Sequence, residues 1–506
     1  MTLSPLESLP YSYPEAILIG AAILVFALDL VVRAKEHLGS LALFACAFGL
    51  VAAVGFRVPF TETWLVQGLF GWGEGWLYSR MVVIDDFAVF FKAIFCLAAF
   101  VAIWMSLGSQ EVRTSSNEGE YYGLLLASTV GMLYMASAAN LLMAYLALEF
   151  VSLTSYVLTG YLRRNRRSGE AALKYLIYGG VASGTMIYGM SWLYGLAGSL
   201  DYFRIHEVLT QGTADPLTVF IAVVLVLCGF GYKIASVPFH MWAPDVYHGA
   251  PIPVTAFLSV GSKAAGFAIL MRLFYPGLSE AVEGGGWRFL PGVDWPQLML
   301  VVCMATMTLG NLAALGQQNL KRLLAYSSIA HAGYVLMGFV VLNDEGLRAM
   351  LFYLVTYYLM NLGAFLVVMV VVNSTGREDI EGFRGLAWRG GAIPAVAMAI
   401  FLFSLAGLPP LAGFIGKFYL FAAVVQERFY LLALVGLANS LVALYYYARV
   451  VRTMFLDMPV GDEGVVTLDS HNALLLAFLA VPTLVLGVYW APVFEIADRS
   501  VRFFLG

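Results

Sequence analysis

Seven lysines occur in this 506-residue chain, and five of them (Lys92, Lys174, Lys233, Lys263 and Lys417) fall inside long apolar stretches. The arginines lie in the connections between those stretches or near their ends. A charged lysine in the middle of a bilayer costs on the order of 3 kcal/mol on insertion scales, so five of them need partners, water or a task. An amine can give up its proton where a guanidinium cannot, which makes a series of buried lysines a route along which protons pass with the help of water.

Lys233 stands in GYKIASVPFHMWAPD, just ahead of Pro238 and His240, with Gly231 leaving room for water or another helix. Glu149, in LALEFVSLTSY, is the deep carboxylate of its span and the natural counter-charge for a lysine; approach and withdrawal of that charge would load and expel a proton. Lys263 lies in SVGSKAAG, where Gly261 and Gly266 permit close helix packing and keep the lysine turned inward. Lys417 follows Pro409, Pro410 and Gly413 and is the candidate exit or terminal member. Lys174 comes one turn after Glu170 and can equally relay protons or snorkel outward and pair locally. His240 and His331, the latter after the polar stretch YSSIAH, are candidate relay groups because histidine titrates near neutral pH; His248 is a weaker one. For each of these residues the competing reading is a structural ion pair or a satisfied core group. That reading is preferred for Lys92, placed with Asp85 seven residues earlier, and Asp29 is expected to face a partner chain.

The elements that must position these groups follow from composition: 61% hydrophobic and 12% charged residues, against about a quarter charged in soluble domains. Windows of about twenty apolar residues recur fourteen times, from 15–33 to 472–492, so the expected fold is an all-α polytopic membrane protein of about fourteen transmembrane helices. The N-terminal segment, without Lys or Arg, reads as a retained first span and not as a signal peptide. Helices seven and twelve contain prolines that must open them, as in transporter repeats built around discontinuous helices. Two inverted five-helix repeats are expected, helices four to eight over 121–275 and nine to thirteen over 276–455, flanked by 1–120 and 456–506. The linkers are short; the longest, Arg57 to Arg80, can hold interfacial structure. Connections after odd-numbered helices carry fourteen Lys and Arg residues, Arg33 and the RRNRR run at Arg163 to Arg167 among them. Those after even-numbered helices, with both tails, carry nine, including Arg57 and Arg502. Both termini should then face away from the cytoplasm.

Other chemistries find little support. Cys46, Cys96, Cys228 and Cys303 are far apart in apolar runs and read as small core residues, not metal ligands. Neither a phosphate-binding loop nor a dinucleotide fingerprint occurs, and a net charge of −4 without a long basic run argues against nucleic acid.

The stretches GYKIASVPFHMWAPDVYHGAP, VTAFLSVGSKAAGFA, KRLLAYSSIAHAGY and GLPPLAGFIGKFYLF, with Glu149 and Lys174, closely resemble the antiporter-like subunit N family of bacterial complex I, which has mitochondrial and plastid counterparts. The resemblance runs through nearly the whole chain. It implies a proton-pumping unit in the membrane arm of an NADH:quinone oxidoreductase in the bacterial inner (plasma) membrane, beside other antiporter-like and small spanning subunits. It also implies that Glu149 matches the family's helix-five glutamate, Lys174, Lys233 and Lys263 its central lysines, and Lys417 its helix-twelve lysine. NADH, FMN, iron–sulfur clusters and quinone would be handled by other chains, with no cofactor in this one. A stand-alone cation/proton antiporter is the alternative; it calls for a carboxylate-rich cation site, and deep carboxylates are scarce here.

Overall fold

In lipid every backbone polar group must be paired inside the protein, which leaves helices as the spanning element for a chain of this composition. The computed structural model describes all residues except 1–2, 33–34, 58–63, 67–74, 115–117, 213, 283–285, 291–293, 460–463 and 502–506. Its principal helices are α1 (Tyr13–Asp29), α2 (Glu36–Val54), α3 (Asp86–Leu107), α4 (Glu118–Ser137), α5 (Leu141–Thr159), α6 (Arg166–Ala197), α7 (Pro216–Ile234), α8 (Trp242–Gly249) and α9 (Ile252–Leu278). They continue with α10 (Trp295–Leu315), α11 (Leu320–Val340), α12 (Asp344–Thr375), α13 (Ala392–Ala406), α14 (Ala412–Gln426), α15 (Tyr430–Phe455), α16 (Ser470–Val485) and α17 (Ala491–Val501). Asp or Asn side chains start many of them, as Asp85 does for α3, Asn140 for α5, Asp215 for α7 and Asn319 for α11, by accepting from an otherwise orphaned N–H of the first turn.

Each of the fourteen apolar windows holds helix. Among the described residues nine helices are long and apolar enough to cross a membrane, and ten if the bent pair Ile380–Trp388 and Ala392–Ala406 is one span. The count of fourteen is therefore not reached by that measure: α1 and α16 are short, α4 and α6 carry many polar residues, and the twelfth span is interrupted. The Arg57–Arg80 linker is described only in part, where Phe56–Arg57 pairs with Trp64–Val66 and Gly75–Leu77 with Val82–Ile84. Arg33 and Arg502 lie outside the described residues.

Helices α9, α11 and α12 run through the middle of the bundle with nearly every residue buried. The rim shows the pattern that a lipid solvent imposes. On α15 the outer stripe is Leu431, Leu434, Leu437, Leu441 and Tyr445, while Asn439, Tyr446 and Tyr447 point inward.

Two spans are broken where the prolines stand. After α7 the chain turns at Ala235 in the left-handed region, and α8 resumes at Trp242, whose indole N–H donates to the carbonyl of Tyr232 at 2.9 Å. The N–H of Val237 donates to Thr306 Oγ at 3.0 Å. After α13 the turn is made by Gly407 at φ 89°, a conformation that suits glycine, and the N–H of Gly413 finds Ser404 Oγ at 3.0 Å. Polar side chains thus take up backbone groups that the breaks release, as the membrane interior requires.

Candidate functional site

On α5, Glu149 and Ser152 lie one turn apart and face α7. The Lys233 ammonium, 1% exposed, donates to Ser152 Oγ at 3.2 Å. Glu149 acts on that ammonium through space without forming an ion pair, and its Oε1 is buried without a hydrogen-bond partner among the described residues. The counter-charge expected from the sequence acts on Lys233, without an ion pair between them. Lys233 also leans on α9. A methyl group at Gly266 would lie 3.1 Å from Lys233 Cγ, so the glycine makes the space, one turn beyond Lys263.

Lys263 opens the last part of α9 directly after a single π-helical turn, Leu258–Ser262, which widens the helix there. Its ammonium donates to Ser328 Oγ on α11 at 2.6 Å and stands 5.8 Å from the ring centre of Tyr247 on α8. One turn further along α11 comes His331. Its Nδ1 is 2.6 Å from the Tyr353 hydroxyl of α12 and its Nε2 is 3.2 Å from the Tyr447 hydroxyl of α15, which in turn bonds Ser327. The charges of both Lys263 and Lys417 reach His331 electrostatically. Lys417, on α14 just past the second break, donates to the Ala406 carbonyl at 3.0 Å and to Ser440 Oγ at 3.4 Å, and lies 4.4 Å over the Tyr334 ring. The Tyr334 hydroxyl closes this group by bonding Ser440 at 3.0 Å. Glu149, Lys233, Lys263, His331 and Lys417 thus form a file over α5, α7, α9, α11 and α14, in which the four basic members each bond a serine or tyrosine hydroxyl.

The other four lysines meet carboxylates. Lys174 is 2.8 Å from Glu170 and 2.7 Å from Asp245 of α8, which also takes Arg322 at 2.5 Å. It lies in a half-exposed ion-pair cluster, in keeping with the local pairing read from Glu170, and contacts no other lysine of the central set among the described residues. Lys321 is buried against the Ala250 carbonyl at 2.8 Å and Glu378 at 3.4 Å, and His248 approaches Glu378 at 3.5 Å. Burial pushes the Glu378 carboxyl up, but the His248 hydrogen bond and the Lys321 charge outweigh it and bring the group from 4.5 down to about 2. Lys92 pairs with Glu15 of α1 at 2.7 Å, both 2% exposed, and not with Asp85. Asp85 is taken by Arg272, whose two terminal nitrogens reach its two oxygens at 2.5 Å each. A buried arginine in a planar two-point pair corrects the view that arginines stay outside. Asp29 binds Lys35 at 2.7 Å and packs beside Gly119, so it faces its own chain. His240, 5% exposed, turns back on the Pro238 carbonyl inside the first break and touches no lysine; its Nδ1 has no partner among the described residues.

Sequence reasoning missed the hydroxyls that surround the file: Ser152, Ser328, Ser440, Tyr334, Tyr353 and Tyr447. The available signal was the run YSSIAH, which places Ser327, Ser328 and His331 within one turn on a buried helix. The cysteines are free, three buried and Cys228 partly so, as small core residues.

Comparison with known proteins identifies the family. The family model described as NADH:quinone oxidoreductase/Mrp antiporter, TM, matches residues 138–443, which hold the whole file from Glu149 to Ser440. NADH-quinone oxidoreductase subunit N of Anaeromyxobacter sp. (strain Fw109-5) is 44% identical over 99% of this chain and 98% of its own length. Subunit N 2 of Sorangium cellulosum is 45% identical over the same shares. Among solved structures, a chain of respiratory complex I from Thermus thermophilus with bound aureothin superposes with a TM-score of 0.76 at 29% identity, covering 96% of this chain and 99% of that one. The chain belongs to the NADH-quinone oxidoreductase subunit N family.

Proposed function

We propose that protons cross this subunit along Glu149, Lys233, Lys263, His331 and Lys417, with the hydroxyls of Ser152, Ser328, Ser440 and Tyr447 and intervening water as links. The chain is a multi-pass, proton-translocating subunit in the membrane arm of an NADH:quinone oxidoreductase, beside other membrane-arm subunits. It is thus part of a translocase whose redox chemistry, with NADH, FMN, iron–sulfur clusters and quinone, we assign to other chains. We place it in the bacterial inner membrane with both termini on the non-cytoplasmic side, and read 121–275 and 276–455 as two inverted repeats flanked by 1–120 and 456–506. Lys174 is assigned to anchoring α8, and His240 to lining the first break, where it can still meet water.

The observation that carries the reading is the choice of partners. Lys233 and Lys263 donate to serine hydroxyls and Lys417 to a carbonyl and a serine. A hydroxyl accepts from an ammonium and donates to a neutral amine, so it serves a lysine before and after the proton leaves. An ionised carboxylate accepts only and holds the proton in place. The test is proton pumping and quinone reduction measured on the same vesicles carrying Lys233→Ala. Pumping lost from an assembled complex supports the file; normal pumping at normal turnover removes Lys233 from it.

A further inference from the structure

A cavity of about 840 Å³ opens between α3, α12, α16 and α17, with no member of the lysine file in its walls. Its walls are apolar: Phe90, Ala93 and Ile94 from α3, Leu359 from α12, Phe478 from α16 and Ile496 from α17. The Tyr358 hydroxyl is already spent on the Leu97 carbonyl at 2.8 Å, so it adds no polarity to the wall. Two opposite charges stand at the mouth, Asp86 at the start of α3 and Arg499 on α17. They feel each other electrostatically, yet neither forms an ion pair with the other or with any described residue.

We infer that this groove is a binding site for a single zwitterionic phospholipid of the phosphatidylethanolamine type, with one leaflet's depth of acyl chain in the groove and the headgroup between Arg499 and Asp86. Depth argues for a lipid over a polypeptide. From Asp86 to Leu97, where the lining on α3 ends, the helix rises roughly 16 Å, about half of a hydrocarbon core of ~30 Å. A neighbouring spanning helix would need a groove running through both leaflets. Charge argues for the headgroup: a guanidinium binds phosphate through two parallel hydrogen bonds, and a carboxylate accepts from an ammonium. Together the pair fits a headgroup that carries both charges and disfavours a purely anionic one, whose phosphate would meet Asp86.

The test uses the whole complex, purified from native membranes, washed with detergent and weighed with its retained lipid by native mass spectrometry. The unsubstituted complex should retain one phosphatidylethanolamine that Ala93→Trp, which fills the groove, loses. Arg499→Gln leaves the walls intact and should weaken retention about tenfold, the worth of one charge-assisted hydrogen bond, even if the tryptophan variant does not assemble. Exchange into phosphatidylglycerol alone should leave the site empty. Equal lipid retention in the unsubstituted and Arg499→Gln complexes would overturn the assignment, as would retention of phosphatidylglycerol in its place. So would a cross-link from Ala93→Cys to a neighbouring polypeptide, which would make the occupant a protein.

Discussion

Lys263 and Lys321 are buried alike, 3% and 1% exposed, and both work against α11: one donates to it, the other belongs to it. Lys263 meets the Ser328 hydroxyl, whereas Lys321 meets the Glu378 carboxylate and a backbone carbonyl. Burial therefore does not distinguish a lysine that can pass a proton from one that fastens helices together; the partner does. The same division sorts the whole set, with Lys233, Lys263 and Lys417 on hydroxyls or carbonyls and Lys35, Lys92, Lys174 and Lys321 on carboxylates.

The largest effect should come from breaking a fully buried clamp. Lys92→Met leaves Glu15 charged and unpaired and should destabilise the chain by about 3–5 kcal/mol, read as lost assembly or lowered thermal stability. The double replacement Lys92→Met with Glu15→Leu should restore assembly with pumping intact, because two apolar side chains suit that site as well as the pair does. Lost pumping in an assembled double variant would place Lys92 among the proton carriers after all. Next in size, Lys417→Ala should assemble and slow proton pumping by about a hundredfold, the lower end of the range for loss of a positioned proton-transfer group. Smaller again is Tyr447→Phe, which removes one hydrogen bond from His331 and one from Ser327. A loss of about 1 kcal/mol corresponds to a few-fold slowing of pumping, measured in the same vesicles.

The last prediction touches only the clamped side. Glu378 has a folded-state pKa below its unfolded one, so its contribution to stability is fully present above about pH 4.5 and fades as pH falls toward 2. Thermal unfolding of the solubilised complex across that window should show the slope, and Glu378→Gln should flatten it. Proton pumping at neutral pH should be unchanged by that substitution.

Much of this was legible beforehand. The apolar windows and the prolines at 238, 409 and 410 located the helices and both breaks, because lipid permits few alternatives. The lysines in apolar runs drew attention to the proposed file for the same reason, but Lys92 and Lys174, marked by the same sign, sit in ion pairs. The partners were not legible. Pairing of Lys92 with Glu15, or of Asp85 with Arg272, depends on how α1, α3 and α9 rotate against one another, and no local spacing encodes that rotation. Asp85 and Lys92 share a helix face by spacing, yet a helix from elsewhere supplies each with a better partner. The π-helical turn before Lys263 was equally hidden, since SVGSKAAG reads as ordinary helix with glycines.

The division by partner is tested most directly by comparing Lys263→Gln with Lys321→Gln in inverted membrane vesicles, measuring protons moved per electron in complexes shown to be assembled. Both substitutions remove a charge from an equally buried position and keep a hydrogen-bonding side chain. The expected result is a fall in that ratio for Lys263→Gln and a ratio near normal for Lys321→Gln. Equal losses, or a loss confined to Lys321→Gln, would contradict the account.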